Sequence, residues 1–563
     1  MKNLKKLLKR FKIDGYIVPK NDEYFNEYVP LSKDRLRFLS NFNGSAGFAV
    51  ILKNKNYLFV DGRYTIQAKH QSGKKFKIIT IPNKLPRNVI LPKKKIVLGF
   101  DPRLHTERQL NFFFKFKNIE LKSINKNLVD LVWLNKPNEI VKPFFSISKR
   151  NSGNSSSNKI NQVKQILLRK NADLLLVTAP ENIAWVLNLR GFDISHSPIP
   201  NARLIIGKKG ELKLFAKLEK LKNLKYLKKF SYDEKKLEKY LNYITNKKIW
   251  LDSLSCSFFY KKLLEKKNKI FNKVDPIYFL KSIKNKTEIK NMIDAHILDG
   301  AALTKFIYWI KNINKKEITE VEAQNKLEKF RKMNKNYLYP SFDTIAGSGK
   351  NGAIVHYRAK KENCRIIKKK DIFLCDSGGQ YKYGTTDVTR TICFSIPKPY
   401  IKNVFTKVLK GHIAVAHTNL KKNNIGKKID ARARKFLKKS NLDYAHGTGH
   451  GVGFFLNVHE GPQSLSKFNN VKIKEGMILS NEPGCYKKDH FGIRIENLVF
   501  VKKVNKNIFF KNLTLVPIEK NLINFDLLTS SEKNYLFQYH LDVYSKISRY
   551  LNLKERKWLA SFI

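Results

Sequence analysis

Four carboxylates and one imidazole in the C-terminal half of the chain, Asp376, Asp387, His450, Glu482 and Glu496, are residue types that hold divalent metal. The set is hard and oxygen-rich. Carboxylates suit Mn or Mg, and a single imidazole tilts the preference towards Mn, Co or Zn. A carboxylate can bridge two ions. Two ions about 3.5–4 Å apart can hold a bridging hydroxide and clamp a tetrahedral intermediate. Each acid taken singly also reads as an ordinary surface or turn residue; the five together, in this order, point to metal-assisted hydrolysis.

The elements that must position them are legible in outline. Residues 376–391 read Asp-Ser-Gly-Gly-Gln-Tyr-Lys-Tyr-Gly-Thr-Thr-Asp-Val-Thr-Arg-Thr, after the apolar run Ile372-Phe373-Leu374-Cys375. Glycines between an apolar run and a β-branched run predict a hairpin with one aspartate on each arm. A turn centred near Tyr381 and Lys382 makes Asp376 and Asp387 direct cross-strand neighbours, ~5 Å apart. Two like charges held there require something positive between them.

A second hairpin follows. Met477-Ile478-Leu479-Ser480-Asn481-Glu482 is a strand stopped by Pro483-Gly484, and Ile493-Arg494-Ile495-Glu496 returns. Alternation puts Ile493 and Ile495 on one face and Arg494 and Glu496 on the other, with Glu482 on the opposed arm. Between the hairpins, His446-Gly-Thr-Gly-His450-Gly-Val-Gly453 alternates glycine with larger residues, which lets backbones approach closely and leaves the imidazoles uncrowded.

The chain has 563 residues, which predicts roughly three or four domains at about 150 residues each. Lys and Arg number 111 against 46 Asp and Glu, a formal charge of +65. The lysines are spread over every segment, with no dense basic tail and no basic helix carrying a stacking motif. A generally basic surface is therefore expected rather than a nucleic-acid interface. No apolar run is long enough to span a bilayer, so no membrane partner is expected. Five scattered cysteines without a C-x-x-C pair fit reduced thiols in a cytosol. At the start, Leu4, Leu7, Leu8 and Phe11 share one helical face, which reads as a first packed helix or an organelle-targeting peptide.

The fold class expected is α/β (α+β). A first domain runs over 1–145, with strands at Ile17-Val18, 48–52 and 57–60. Residues 151–158, Asn-Ser-Gly-Asn-Ser-Ser-Ser-Asn, read as a flexible linker. A second domain, 146–284, repeats the theme. Trp185-Val186-Leu187-Asn188-Leu189-Arg190-Gly191 matches the pattern of Phe38 to Gly44, and a strand pair follows both (204–206 and 212–215 in the second). A third unit, 285–500, opens with a helix striped by Ile289, Met292, Ile293, Ile297, Gly300, Leu303, Ile307 and Ile310, with Thr287 as its N-cap. A tail, 501–563, carries a helix headed by the capping box Thr529…Glu532.

At this point the sequence resembles a known family. The order Asp376…Asp387…His450…Glu482…Glu496 is similar to the five-ligand signature of the dinuclear "pita-bread" metallopeptidases, the methionine aminopeptidase, prolidase and aminopeptidase P group. Asp376-Ser-Gly-Gly-Gln-Tyr…Gly384-Thr-Thr-Asp-Val-Thr-Arg-Thr looks most like the cytosolic, three-domain aminopeptidase P type. Gly44-Ser-Ala-Gly47, Asp61-Gly-Arg-Tyr64, Ile183 through Gly191 and Leu513-Thr-Leu-Val-Pro-Ile518 extend the likeness over nearly the whole chain.

The resemblance implies two creatinase-like N-terminal domains, a pita-bread catalytic domain and a short C-terminal extension. It implies an Xaa-Pro aminopeptidase that uses two divalent ions, Mn2+ with Zn2+ or Co2+ as alternatives, to activate a hydroxide. It also implies a cytoplasmic homodimer. Asp387 and Glu496 would bridge the ions; His450 and Glu482 would complete one and Asp376 the other. His356 matches a substrate-binding histidine. His446 and His459 match histidines flanking the scissile bond, Glu482 would also be the acid that protonates the leaving nitrogen, and Arg494 and Tyr486 match groups beside the metals. Two other readings stand beside this one: a prolidase restricted to Xaa-Pro dipeptides, and a non-catalytic basic binding protein on the same fold. The last predicts damaged metal ligands, whereas all five are present.

Overall fold

A computed structural model describes residues 1–313 and 317–563. The chain divides into two compact units, one of residues 1–148 and 154–278, the other of residues 149–153 and 279–563.

The first unit contains two six-stranded sheets of the same topology. In space the first runs Lys77–Ile81, Asn56–Asp61, Phe48–Leu52, Gly15–Pro19, Ile96–Phe100, Ile119–Ser123. The second runs Ser231–Asp233, Leu212–Ala216, Arg203–Gly207, Leu174–Val177, Lys248–Leu251, Lys269–Asn272. In both, the earliest strand pairs antiparallel with the next and parallel with the fifth, and the outer pairings are parallel. The short sequence repeat marks one local device. In each copy a helix, Arg35–Ser40 or Pro180–Val186, is followed by an asparagine in the left-handed region, Asn41 (φ 64°) and Asn188 (φ 50°). Asparagine tolerates that conformation better than most residues, so it turns the chain into the next strand.

The N-terminal segment forms the helix Lys2–Arg10, whose Leu4 and Leu8 are buried in the first sheet's core. The stretch read as a linker is not one. Residues 149–152 are helical, and Ser155 caps the helix Ser156–Arg169 by accepting the Asn158 N–H. Ser and Asn are linker residues by composition but N-cap residues by chemistry, and here the capping role wins.

The second unit opens with the 27-residue helix Lys286–Asn312. Its N-cap is Asn285, in a capping box with Glu288, and not Thr287. Asn285 precedes Thr287 and has an acid three residues on, which decides the start. Leu303, Phe306, Ile307 and Ile310 of this helix pack on Phe373, Cys375, Val388 and Ile392. On a separate core, Val404, Phe405, Val408 and Leu409 of helix Pro399–Ala416 pack with Ile493 and Ile495 and with Leu536, Val543 and Ile547 of helix Ser530–Ile547. That last helix starts at the predicted capping box of Thr529 and Glu532. By strand alternation, burying these apolar residues turns the acids beside them to the opposite faces. Among the described residues no helix is long and apolar enough to cross a membrane.

Candidate active site

The first hairpin pairs strand Ile372–Ser377 with Val388–Cys393 and continues as Gly379–Tyr381 against Gly384–Thr385. Tyr381 faces Gly384, so the loop is Lys382-Tyr383, one residue later than a turn centred on Tyr381 and Lys382. Asp376 therefore stands opposite Thr389, and Asp387 lies two residues away along the facing strand. The aspartates are diagonal neighbours on one face, not direct partners.

The second hairpin has the expected register. Asn481 pairs with Asn497 and Gly484 with Arg494, so the positions between them set Glu482 across from Glu496. Pro483 interrupts the ladder there. The His446–Gly453 loop runs alongside as strand Gly449–Gly451, against Ile478–Asn481. A Cβ on Gly449 would sit 1.9 Å from the Ser480 carbonyl oxygen, so only glycine permits this approach.

These elements bring candidate ligand atoms of Asp387, His450 and Glu496 within 4.8 Å of one another. His450 Nε2 is 3.5 Å from Asp387 Oδ2 and 3.5 Å from Glu482 Oε1. Its Nδ1 lies 2.9 Å from the Gly451 carbonyl, which can only accept, so Nδ1 carries the proton and Nε2 faces the acids. Asp376 Oδ2 accepts Arg494 Nη2 at 2.5 Å, while its Oδ1 is buried with no hydrogen-bond partner among the described residues. A buried carboxylate oxygen without a partner is costly unless a cation satisfies it.

The electrostatics agree. Burial, reinforced by the charges of Asp387 and Glu482, pushes the Asp376 carboxyl up to about 7 against the pull of Arg494. Burial and the charges of Asp387, Glu482 and Asp376 push Glu496 well above the carboxylate range. Burial alone would lower His450, but Asp387 and Glu482 raise it to about 9. Burial would raise Glu482, yet His450, His446 and Arg494 hold it below its ordinary value. The pocket thus favours positive charge among crowded acids, and a divalent ion fits that donor set.

Arg494 connects this cluster to His446. Its Nη1 donates to the Tyr486 hydroxyl at 2.6 Å, and that hydroxyl donates to His446 Nε2 at 2.8 Å. His446 Nδ1 donates to the Gly447 carbonyl at 2.8 Å. Burial lowers His446 to about 4, so it is neutral near pH 7. His459 lies edge-on to His450, ring centroids 4.4 Å apart. His356 is half-buried in the turn after Gly349–Ala353, a segment held against strand Phe491–Arg494. Gly492 allows that contact, because a Cβ there would meet the Gly352 carbonyl oxygen at 1.7 Å.

Sequence patterning missed the groups that hold these side chains. Thr389 Oγ1 donates to Glu496 Oε2 at 2.7 Å and accepts Arg494 Nε at 3.0 Å. Ser480 Oγ accepts the His450 N–H at 2.9 Å and donates to Glu482 at 3.1 Å. Arg434 of helix Gly426–Lys438 donates to the His446 carbonyl at 2.6 Å, and Asp430 accepts the Thr448 hydroxyl at 2.7 Å. Glu460, next to His459, is buried against Lys281 and Lys284. Glu320 accepts from Ser348 N at 2.7 Å and from the Tyr357 hydroxyl, also at 2.7 Å, which brackets the His356 turn. Thr389 and Ser480 carried a usable signal: each is two residues from an acid, Asp387 or Glu482, hence on the same strand face.

The family model of metallopeptidase family M24 matches residues 290–503. Models of the creatinase/prolidase N-terminal domain match 1–126 and 135–288, and the C-terminal region of peptidase M24 matches 507–561. A probable Xaa-Pro aminopeptidase P of Coprinopsis cinerea is 38% identical over 99% of this chain and 96% of its own. One of Laccaria bicolor is 38% identical over 99% and 91%. Among solved structures, the X-prolyl aminopeptidase of Caenorhabditis elegans, described as a cytosolic enzyme with a di-nuclear active site, superposes with a TM-score of 0.93 at 29% identity. That match covers 100% of this chain and 98% of the other. The prolidase of Pyrococcus furiosus covers only 62% of this chain, with a TM-score of 0.51 at 26% identity. The chain belongs to the Xaa-Pro aminopeptidase P family, with an M24 metallopeptidase domain behind two creatinase-type N-terminal domains.

Proposed function

We propose that this protein is an Xaa-Pro aminopeptidase that releases the first residue of peptides whose second residue is proline. The observation that carries the reading is the convergence of Asp387, His450 and Glu496 within 4.8 Å in a chain 38% identical to its relatives over 99% of its length. Prolidase is the weaker reading, since the prolidase structure leaves more than a third of this chain without a counterpart.

Asp376, Asp387, His450, Glu482 and Glu496 would hold two divalent ions, with Asp387 and Glu496 shared between them and Mn2+ the best match to a mostly carboxylate set. When bound, the ions supply Lewis acidity toward the scissile carbonyl and lower the pKa of the attacking water. An Xaa-Pro bond is a tertiary amide without an N–H, so the site must work through the carbonyl alone. Glu482, whose ionised form His450 and Arg494 favour, takes the proton from the water and returns it to the proline nitrogen as that nitrogen leaves. His446, kept neutral by burial and oriented by Tyr486 and the Gly447 carbonyl, stands 3.9 Å from Glu482 and orients the peptide beside it. His356 and His459 bind and align the peptide on either side. Arg494 holds Asp376 and Tyr486 in place.

The domain organisation we assign is 1–145, 146–284, 285–500 and 501–563, in keeping with the four family-model matches. A cytoplasmic location follows the nematode relative, described as cytosolic. A homodimer is assigned on family likeness alone.

The test is hydrolysis of Arg-Pro-Pro, Ala-Pro and Arg-Ala-Ala with and without Mn2+. Arg-Pro-Pro should yield Arg and Pro-Pro, Arg-Ala-Ala should resist, and chelation should abolish an activity that Mn2+ restores. Cleavage of dipeptides only would transfer the assignment to prolidase. Full activity in exhaustively chelated, metal-free protein would remove the metal from the reaction.

A further inference from the structure

Arg390 is 1% exposed and directs its five N–H groups at six acceptors, one N–H being shared, and all six are neutral. A buried guanidinium ordinarily pairs with a carboxylate. Here Nη1 is shared between the Thr389 carbonyl at 2.8 Å and the Glu496 carbonyl at 2.7 Å. Thr389 lies on the strand that Asp387 leads into, Glu496 lies between strands Phe491–Arg494 and Asn497–Val504, and the two segments meet where the Thr389 hydroxyl reaches the Glu496 carboxylate. Nε donates to the Pro517 carbonyl at 3.0 Å, and Nη2 donates at 2.8 Å to each of the Val516 carbonyl, the Asn497 side chain and the Tyr539 hydroxyl.

Three of the six acceptors, Val516, Pro517 and Tyr539, lie beyond the metallopeptidase domain as matched, in the C-terminal region. Tyr539 sits on helix Ser530–Ile547 and donates to the Val516 carbonyl at 2.7 Å. His540 on the same helix accepts the Ile518 N–H at 3.1 Å. The helix therefore grips segment 514–518, that segment and Tyr539 fix the guanidinium, and the guanidinium clamps both ligand-bearing segments from the face opposite the acids.

We propose that Arg390 and Tyr539 are positioning residues for the metal centre, and that the C-terminal region is thereby part of the metal cradle rather than an appendage. This rests on the reading of Asp387 and Glu496 as metal ligands. Those carboxylates come from separate segments, so their spacing is only as constant as the clamp between the segments. Groups that support ligands from behind typically cost 10–100-fold in metal affinity when removed.

The experiment is Mn2+ titration of the full-length, metal-stripped protein by isothermal calorimetry, with thermal unfolding measured alongside. Arg390→Lys keeps the charge but offers three donors to six acceptors; its Mn2+ dissociation constant should rise about 10–100-fold. Tyr539→Phe removes one hydroxyl and should raise it severalfold, from a helix that carries no ligand. Val543→Ala empties a buried site on the same helix without touching Arg390; its Tm should fall with Mn2+ affinity unchanged. Asp387→Asn should lose the metal. The proposal is overturned if folded Tyr539→Phe and Arg390→Lys bind Mn2+ as the wild type does while Asp387→Asn does not. It is also overturned if Val543→Ala weakens Mn2+ as much as Tyr539→Phe, because stability alone would then explain the loss. A wild type that binds no Mn2+ would instead fail the metal reading itself, and the inference with it.

Discussion

The two acid-bearing hairpins are built alike and end differently. In the first, an unbroken register carries the pairing from Ile372 through the loop at Lys382-Tyr383, and the aspartates fall diagonally. In the second, Pro483 interrupts the ladder and Glu482 faces Glu496 across the gap. Each hairpin is then held by the other: Arg494 of the second grips Asp376 of the first, and Thr389 of the first reaches Glu496 of the second. The charges differ too, with Asp376 pushed up to about 7 and Glu482 held down. An acid cluster made this way needs no single hairpin to be exact. The cross-links set the spacing of the acids, and the ladders supply only their direction.

Substituting the two aspartates breaks the comparison most severely. Asp387 belongs to the close trio with His450 and Glu496, whereas Asp376 stands outside it. Asp387→Asn should lose both metals and all measurable turnover. Asp376→Asn should keep about one ion per chain and lose most activity, since the water is then activated from one side. Each removes one charge from a cluster whose like charges repel without metal, so both should stay folded. Elemental analysis of folded protein, with circular dichroism as control, decides. Equal metal content in the two variants would mean that the two arms of the first hairpin contribute equivalently.

Cutting the cross-links is a milder test. Arg494→Met removes the grip on Asp376 and the bond to Tyr486, and about a 100-fold loss in turnover is expected. Thr389→Val removes one hydroxyl from Glu496, and about 10-fold is expected, read as weaker Mn2+ affinity. If neither variant changes metal affinity or kcat, each hairpin holds its acids unaided.

The smallest effect is on the pH dependence of metal-free stability. The Asp376 carboxyl is raised in the folded chain, so between its unfolded value of 3.8 and about 7 the folded state holds more protons than the unfolded state. Stability therefore falls as pH rises through that window. Metal-free wild type should lose Tm relative to Asp376→Asn between pH 4 and 7, and the difference should level off above. An unchanged difference across that range would show that Asp376 ionises normally.

The hairpin errors and successes have one physical origin. Glu482 could be placed on the arm facing Glu496 because proline stops a strand at a known residue. The first turn contains Gly-Gly, Tyr-Lys-Tyr and Gly, several of which can sit in a tight loop, and one residue of ambiguity changes the partner of Asp376. Likewise Thr287 and Asn285 are both N-cap types, and the acid at Glu288 selects the second. The serines after Gly153 read as a linker until Ser155 is seen capping a helix.

Residue types and spacing alone were enough to nominate five candidate metal ligands, three of which the structure brings within 4.8 Å of one another, the repeated N-terminal unit and the capping box of the last helix. Those signals are local: periodicity, turn chemistry and ligand type act over a few residues. The structure decided which backbone carbonyls meet the Arg390 guanidinium, that Arg434, Glu460 and Glu320 brace the segments of His446, His459 and His356, and that Asp376 keeps one bare oxygen. Such contacts join residues from 12 to more than a hundred positions apart. Their partners are set by how helices and sheets pack, which no window along the chain contains.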